Sequence, residues 1–139
     1  MKKKTAIYVA IATIITAALF FAWYHYYSNE AVLENRLTAA IAEGSGINMQ
    51  KITPFEWGKF YIFEPYASEQ HINQTLGFES SLRGPDYDEL QLLVFVKDNK
   101  VISSISYPRY SPGGDFLPEN AYSPNEAIFK NENNKLIKK

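Results

Sequence analysis

The densest chemistry-bearing residues in this chain are acids: Asp86, Asp88 and Glu89 fall within four positions, interrupted only by Tyr87. A calcium loop sets acids at every second position of a frame of about twelve residues with a glycine in its middle, and that frame is missing. Two carboxylates acting as acid and base could be drawn from Glu56, Glu64, Asp86 and Asp88. Such a pair needs a shared cleft, which spacing along a chain does not supply. His25 stands in an aromatic run, and His71 has no second histidine or acid at ligand spacing, whereas a metal site needs several converging ligands. Ser80-Ser81 and Ser103-Ser104 lack the glycine-flanked turn that exposes a hydrolase serine. Gly113-Gly114 lies between prolines and precedes no helix, so it is no phosphate loop. The sequon Asn73-Gln74-Thr75 matters only in a glycosylating host. Cysteine is absent, which removes disulfides, thiolate metal sites, a cysteine nucleophile and a lipid-modified N-terminal cysteine. No catalytic residue, metal ligand or cofactor is assigned, and an enzyme is the less favoured reading.

Aromatic residues are the remaining candidates. Trp57, Tyr61, Tyr66, Tyr107, Tyr110 and Tyr122 are interleaved with prolines, and rings in such a setting can form a platform for a sugar or a peptide. Packing inside core and loops is the competing and commoner use of such rings. Trp57, Tyr66, Tyr110 and Tyr122 are the four chosen as an exposed binding surface. Arg109 and Asp115 nearby form either a polar site or an ordinary surface pair.

These residues must be positioned by a chain of 139 residues, part of which serves another purpose. Residues 5–29 contain no Asp, Glu, Lys or Arg, and about twenty apolar residues in a helix cover roughly 30 Å of hydrocarbon. Lys2, Lys3 and Lys4 before them put the N-terminus in the cytoplasm. Trp23, Tyr24, Tyr26 and Tyr27 suit the headgroup region on the far side. A cleaved signal ending at Thr16-Ala17-Ala18 is the rival, but the mature chain would then open on exposed Leu19, Phe20, Phe21, Ala22 and Trp23. Residues 1–27 are therefore read as an uncleaved signal anchor. With Lys2, Lys3 and Lys4 set aside, 11 basic residues face 15 acidic ones, a net of −4 that argues against nucleic acid.

Residues 28–44 read as a juxtamembrane helix capped by Ser28 or Asn29 and stopped by Gly44, with Leu33, Leu37, Ala40 and Ile41 on one stripe. Residues 45–130 read as an extracytoplasmic α+β domain. Within it, residues 47–52 suggest a short edge strand. Residues 59–63 suggest a strand with apolar residues on both faces, since Phe60 and Ile62 point one way and Tyr61 and Phe63 the other. Ser68 caps a helix over residues 69–76 that Gly77 ends. Residues 90–97 and 100–107 flank Asp98-Asn99 as a hairpin, with Val96 opposite Val101, Phe95 opposite Ile102 and Leu92 opposite Ile105. Residues 127–130 suggest a last strand, and 131–139 a frayed tail. The fold class expected is α+β: an N-terminal transmembrane helix, then a small antiparallel sheet with one or two packed helices.

The run Phe55-Glu56-Trp57-x-Lys59-x-Tyr61-Ile62-Phe63-x-Pro65-Tyr66, the helix end Leu76-Gly77, the stretch from Leu93 through Lys97-Asp98-Asn99-Lys100-Val101, and Tyr107-Pro108-Arg109 together resemble a family of small bacterial envelope proteins. These are lipoproteins or single-pass proteins, chiefly of Gram-positive bacteria, and the resemblance spans residues 47–116. Gly58 stands where that family commonly has aspartate, Asn99 where it often has glycine, and the lipid-accepting cysteine is absent. The resemblance implies a location and a fold without a chemistry. The role expected of the chain as a whole is that of a single-pass membrane protein whose outer domain binds another envelope protein or a cell-wall component. The alternatives are an enzyme acting on an envelope substrate, or an immunity or inhibitor protein.

Overall fold

The computed structural model describes residues 2–26, 28–110, 113–116 and 121–139. Met1, Tyr27, the side chains of Lys2, Lys3, Thr5, His25 and Tyr26, and parts of the proline-rich loop at 111–112 and 117–120 lie outside the described set. Helix α1, Lys2–Tyr26, contains the apolar segment Ala6–Tyr24, 19 residues that bury nothing against the rest of the chain. That helix is long and apolar enough to cross a membrane or to serve as a signal sequence.

Helix α2, Asn29–Glu43, begins where the Ser28 side chain accepts a hydrogen bond from the Ala31 N–H, and ends at Gly44 in the left-handed conformation. Leu33 and Leu37 from its apolar stripe are fully buried. Strand β1 is only Ile47–Asn48. The expected strand over 47–52 stops there, because the Asn48 side chain accepts from the Lys51 N–H and starts a single helical turn, α3, Met49–Ile52. Strand β2 is Lys59–Phe63, and helix α4, Glu69–Leu76, has the Ser68 cap and Gly77 stop read from the sequence. Strands β3, Leu90–Lys97, and β4, Lys100–Pro108, form the hairpin. Strands β5, Asp115–Phe116, β6, Ile128–Glu132, and β7, Lys135–Lys138, complete the fold.

The class is α+β as expected, but its strands divide into two sheets: β2-β3-β4, and β1-β6-β7-β5. The second contains one parallel pair, β5 with β7. Residues 131–139 do not fray. Asn133 and Asn134 both take positive φ and turn the chain so that β7 pairs with β6 and buries Leu136. Two apolar residues, Leu136 and Ile137, between lysines were too weak a signal for a strand, yet the burial of Leu136 holds the second sheet together.

The central sheet is apolar on both sides. Phe60, Ile62, Leu93 and Phe95 face a large cluster completed by α2 and the second sheet, while Tyr61, Phe63, Leu92, Val94 and Val96 face Ile72 and Leu76 of α4. Near its turn the hairpin pairs as the sequence indicates, Val96 with Val101. Beyond it Ile102 is an extra residue, and Phe95 pairs with Ser103 and Leu93 with Ile105. This bulge moves Ile105 and Tyr107 away from the α4 side and into the larger cluster. Alternation alone could not choose, since β3 is apolar on both faces.

At the turn Asp98 and Asn99 both have positive φ, 51° and 55°. Such a turn favours glycine at its second position, so Asn99→Gly should raise stability by about 0.5–1 kcal/mol. A thermal midpoint unchanged or lowered would contradict this account of the turn.

Candidate functional site

Of the four candidate rings the structure leaves two outside. Trp57 is 7% exposed and Tyr122 4%, which corrects their assignment to a binding surface. The Trp57 indole packs edge-on against Phe95, and its N–H donates to the Thr53 hydroxyl at 2.8 Å, so the polar edge is satisfied inside the protein. Tyr122 exchanges backbone hydrogen bonds with Phe60 at 2.9 Å in each direction and lays its ring against Phe129. Part of the proline-rich loop thus caps the free edge of β2. Tyr61 and Tyr107 are buried as well.

Tyr66 and Tyr110 are 59% and 51% exposed. Both stand at the same end of the molecule, where β2 and β4 finish and β3 begins. Tyr66 holds φ of 61°, a conformation L-residues seldom take, and its N–H donates to the Pro85 carbonyl at 2.8 Å. Beside it the Gly84 N–H donates to the Ala67 carbonyl; a Cβ at Gly84 would lie 2.5 Å from the Ala67 nitrogen, so only glycine permits this approach. The Tyr66 phenol is held above its ordinary pKa, first by desolvation and then by the Asp88 carboxylate, with Glu89 and Asp86 adding to it. The acidic run 86–89 therefore lies close to an exposed ring.

Arg109 links this end together. Its Nε and Nη2 donate to the two carboxylate oxygens of Asp115 at 2.9 and 3.4 Å, and its Nη1 lies 3.1 Å from a Glu64 oxygen. Its backbone N–H donates to the Glu89 carbonyl, and its guanidinium lies 5.8 Å from the centre of the Tyr110 ring. Arg109 and Asp115 are half-buried and paired with each other, so the pair acts as a structural tie. The spacing of Arg109 and Asp115 hinted at their contact; Glu64 gave no signal, being some 45 residues away along the chain. Arg109→Lys keeps the charge but cannot make the forked contact, and should cost about 1–2 kcal/mol in chemical unfolding. Loss no greater than that of an exposed control such as Lys130→Arg would contradict it.

Gln91 was missed by sequence reasoning. Its side chain is buried, donating from Nε2 to the Gly114 carbonyl at 2.8 Å and accepting at Oε1 from the Phe116 N–H at 3.2 Å. It replaces a strand partner for the segment that follows Tyr110. The only available signal was one polar residue inside the apolar run of β3.

Among the described residues no group of three or more His, Asp or Glu could hold a metal ion, and His71 lies edge-on to Phe63 on the outside of α4. Glu56 bonds Lys97 at 2.6 Å at the opposite end of the sheet from Glu64. Glu56 therefore stands apart from Glu64, which contacts Arg109 at the other end.

The fold and this end define a class: a small two-sheet α+β domain carried behind one apolar helix of membrane-spanning length. No protein-family model, curated protein or solved structure matches the chain.

Proposed function

We propose that this is a single-pass membrane protein with its N-terminus in the cytoplasm, whose outer α+β domain is a non-catalytic binding module at the bacterial cell envelope. Its partner is another envelope protein or a component of the cell wall. The observation that carries this reading is the pair of exposed rings, Tyr66 and Tyr110, beside the ion pairs that tie Arg109 to Asp115 and Glu64. Exposed aromatic rings held on a rigid frame lose little entropy when they bind. The charge before the apolar helix supports the orientation, and the burial of Trp57 and Tyr122 narrows the surface to the end bearing Tyr66 and Tyr110.

Photo-crosslinking residues placed at Tyr66, Tyr110 and, as reference, Glu56 at the other end would test this in intact cells. A discrete protein adduct or attachment to wall material from the first two positions, several-fold above Glu56, is expected. Equal adduct patterns from all three would overturn the binding surface. Recovery from membranes of a chain lacking residues 1–18 would overturn the retained anchor.

A further inference from the structure

Helix α2 and strand β4 run side by side in the same direction. The Glu30 carboxylate accepts from the Ser103 hydroxyl at 3.2 Å, and farther along Thr38 and Tyr107 share a hydrogen bond of 3.0 Å between their hydroxyls. From Glu30 to Thr38 is about 12 Å of helix, and from Ser103 to Tyr107 about 13 Å of strand, so the two advance together. The start of α2 lies only three residues beyond Tyr26, at most about 10 Å of chain from the end of α1. Tracing β4 backward from Ser103, the Asp98-Asn99 turn lies about 13 Å behind the level of Glu30, past the N-terminal end of α2. Trp23 and Tyr24, six and five residues before the start of α2, are exposed rings at the end of the apolar segment.

The residues at this tip suit a headgroup layer. Lys59, which pairs with Val96, and Lys100 beside the turn are both exposed and form no ion pair among the described residues. Lys97 is matched by Glu56, and Asp98 offsets part of the remaining positive charge. Ile102, the bulged residue, is 40% exposed. An open depression of about 400 Å³ between the turn and the end of α4 is bordered by Gly58, Lys59, Lys97 and Phe78. The acids Asp86, Asp88 and Glu89 stand at the other end of β3.

We propose that the β3–β4 turn is a membrane-docking surface, in which Lys59 and Lys100 meet the phosphates of anionic lipids and Ile102 enters the interfacial layer. Docking would hold the domain upright and present Tyr66 and Tyr110 away from the bilayer. The proposal rests on the reading of α1 as a retained span.

The full chain in liposomes, either of phosphatidylcholine alone or with phosphatidylglycerol added, tests it. Because the chain has no cysteine, a fluorophore can be attached singly through Gly58→Cys, Tyr110→Cys or Leu19→Cys. Gly58 has ordinary φ, and an added Cβ meets nothing nearer than 3.6 Å. Quenching by headgroup-level nitroxide lipids should be strong at Gly58 in anionic bilayers, weak at Tyr110, and reduced by salt. Lys59→Gln and Lys100→Gln should each lower the docked-to-undocked ratio roughly fivefold. Quenching at Gly58 no greater than at Tyr110, or equal in the two lipid compositions, would overturn the docking. The Leu19 label separates the two readings: quenching by acyl-chain nitroxides there, without quenching at Gly58, defeats the docking alone, and its absence defeats the span.

Discussion

Phe60→Ala should destabilise the domain by about 3–5 kcal/mol, the range for deleting a fully buried aromatic side chain. Phe60 is fully buried at the point where both sheets and the proline-rich loop meet. Its ring stacks on Phe95 at 4.8 Å between centroids and lies within 6.2 Å of Trp57, Phe116, Tyr122 and Phe129. Alanine would leave a cavity walled by five rings on three strands and two loops, and these cannot all move inward together. Against a total stability of 5–15 kcal/mol, roughly, the change takes a large share. The thermal midpoint should fall by roughly 15–30 °C, read by Trp57 fluorescence in the detergent-solubilised chain. Phe60→Leu fills much of the space and should cost about 1.5 kcal/mol or less. If the two variants fell equally, the cavity explanation would fail.

Gln91→Leu should cost about 2–4 kcal/mol, although leucine is close in size and more apolar. Replacement strips partners from two buried backbone groups, the Gly114 carbonyl and the Phe116 N–H. Each unsatisfied buried group costs about 1–3 kcal/mol, more than the apolar side chain returns. Gln91→Glu distinguishes this from lost packing. Its carboxyl can donate to the Gly114 carbonyl only when protonated, so its folded pKa is raised above its unfolded value. A raised acid loses stability as pH climbs above the unfolded pKa; the deficit of Gln91→Glu should therefore be greatest near neutrality and shrink toward about pH 4. A deficit independent of pH would show that the side chain is not read as a hydrogen-bond donor. Since Gln91 anchors the segment after Tyr110, both variants should also weaken crosslinking from position 110 more than from position 66.

Much of the architecture was legible from short stretches. Ser68 and Gly77 delimit α4 by satisfying the helix ends, and Ser28 and Gly44 do the same for α2. The apolar residues on both faces of β2 announced a sheet covered on two sides, and two clusters cover it. The bulge at Ile102 was not legible, because every register of an all-apolar strand looks equally good until Ile105 and Tyr107 find the larger cluster. Strand β7 was hidden for a related reason: Leu136 earns its place only against Gly114 and Phe116, some twenty residues earlier in the chain.

By itself, then, the sequence determined the apolar helix of membrane-spanning length, the α+β class, the caps and the hairpin turn, all of which follow from residues within one or two turns of each other. The exposure of the aromatic rings was a tertiary matter. Trp57, Tyr66, Tyr110 and Tyr122 are the same kind of side chain, each with an apolar body and a polar edge that is stable in water or in a core. Thr53 satisfies Trp57, and the Phe60 and Phe129 rings enclose Tyr122. The left-handed backbone at Tyr66 and the Arg109 tie beside Tyr110 leave those two rings in solvent. Contacts made by residues far apart in the chain decided which rings could meet a partner.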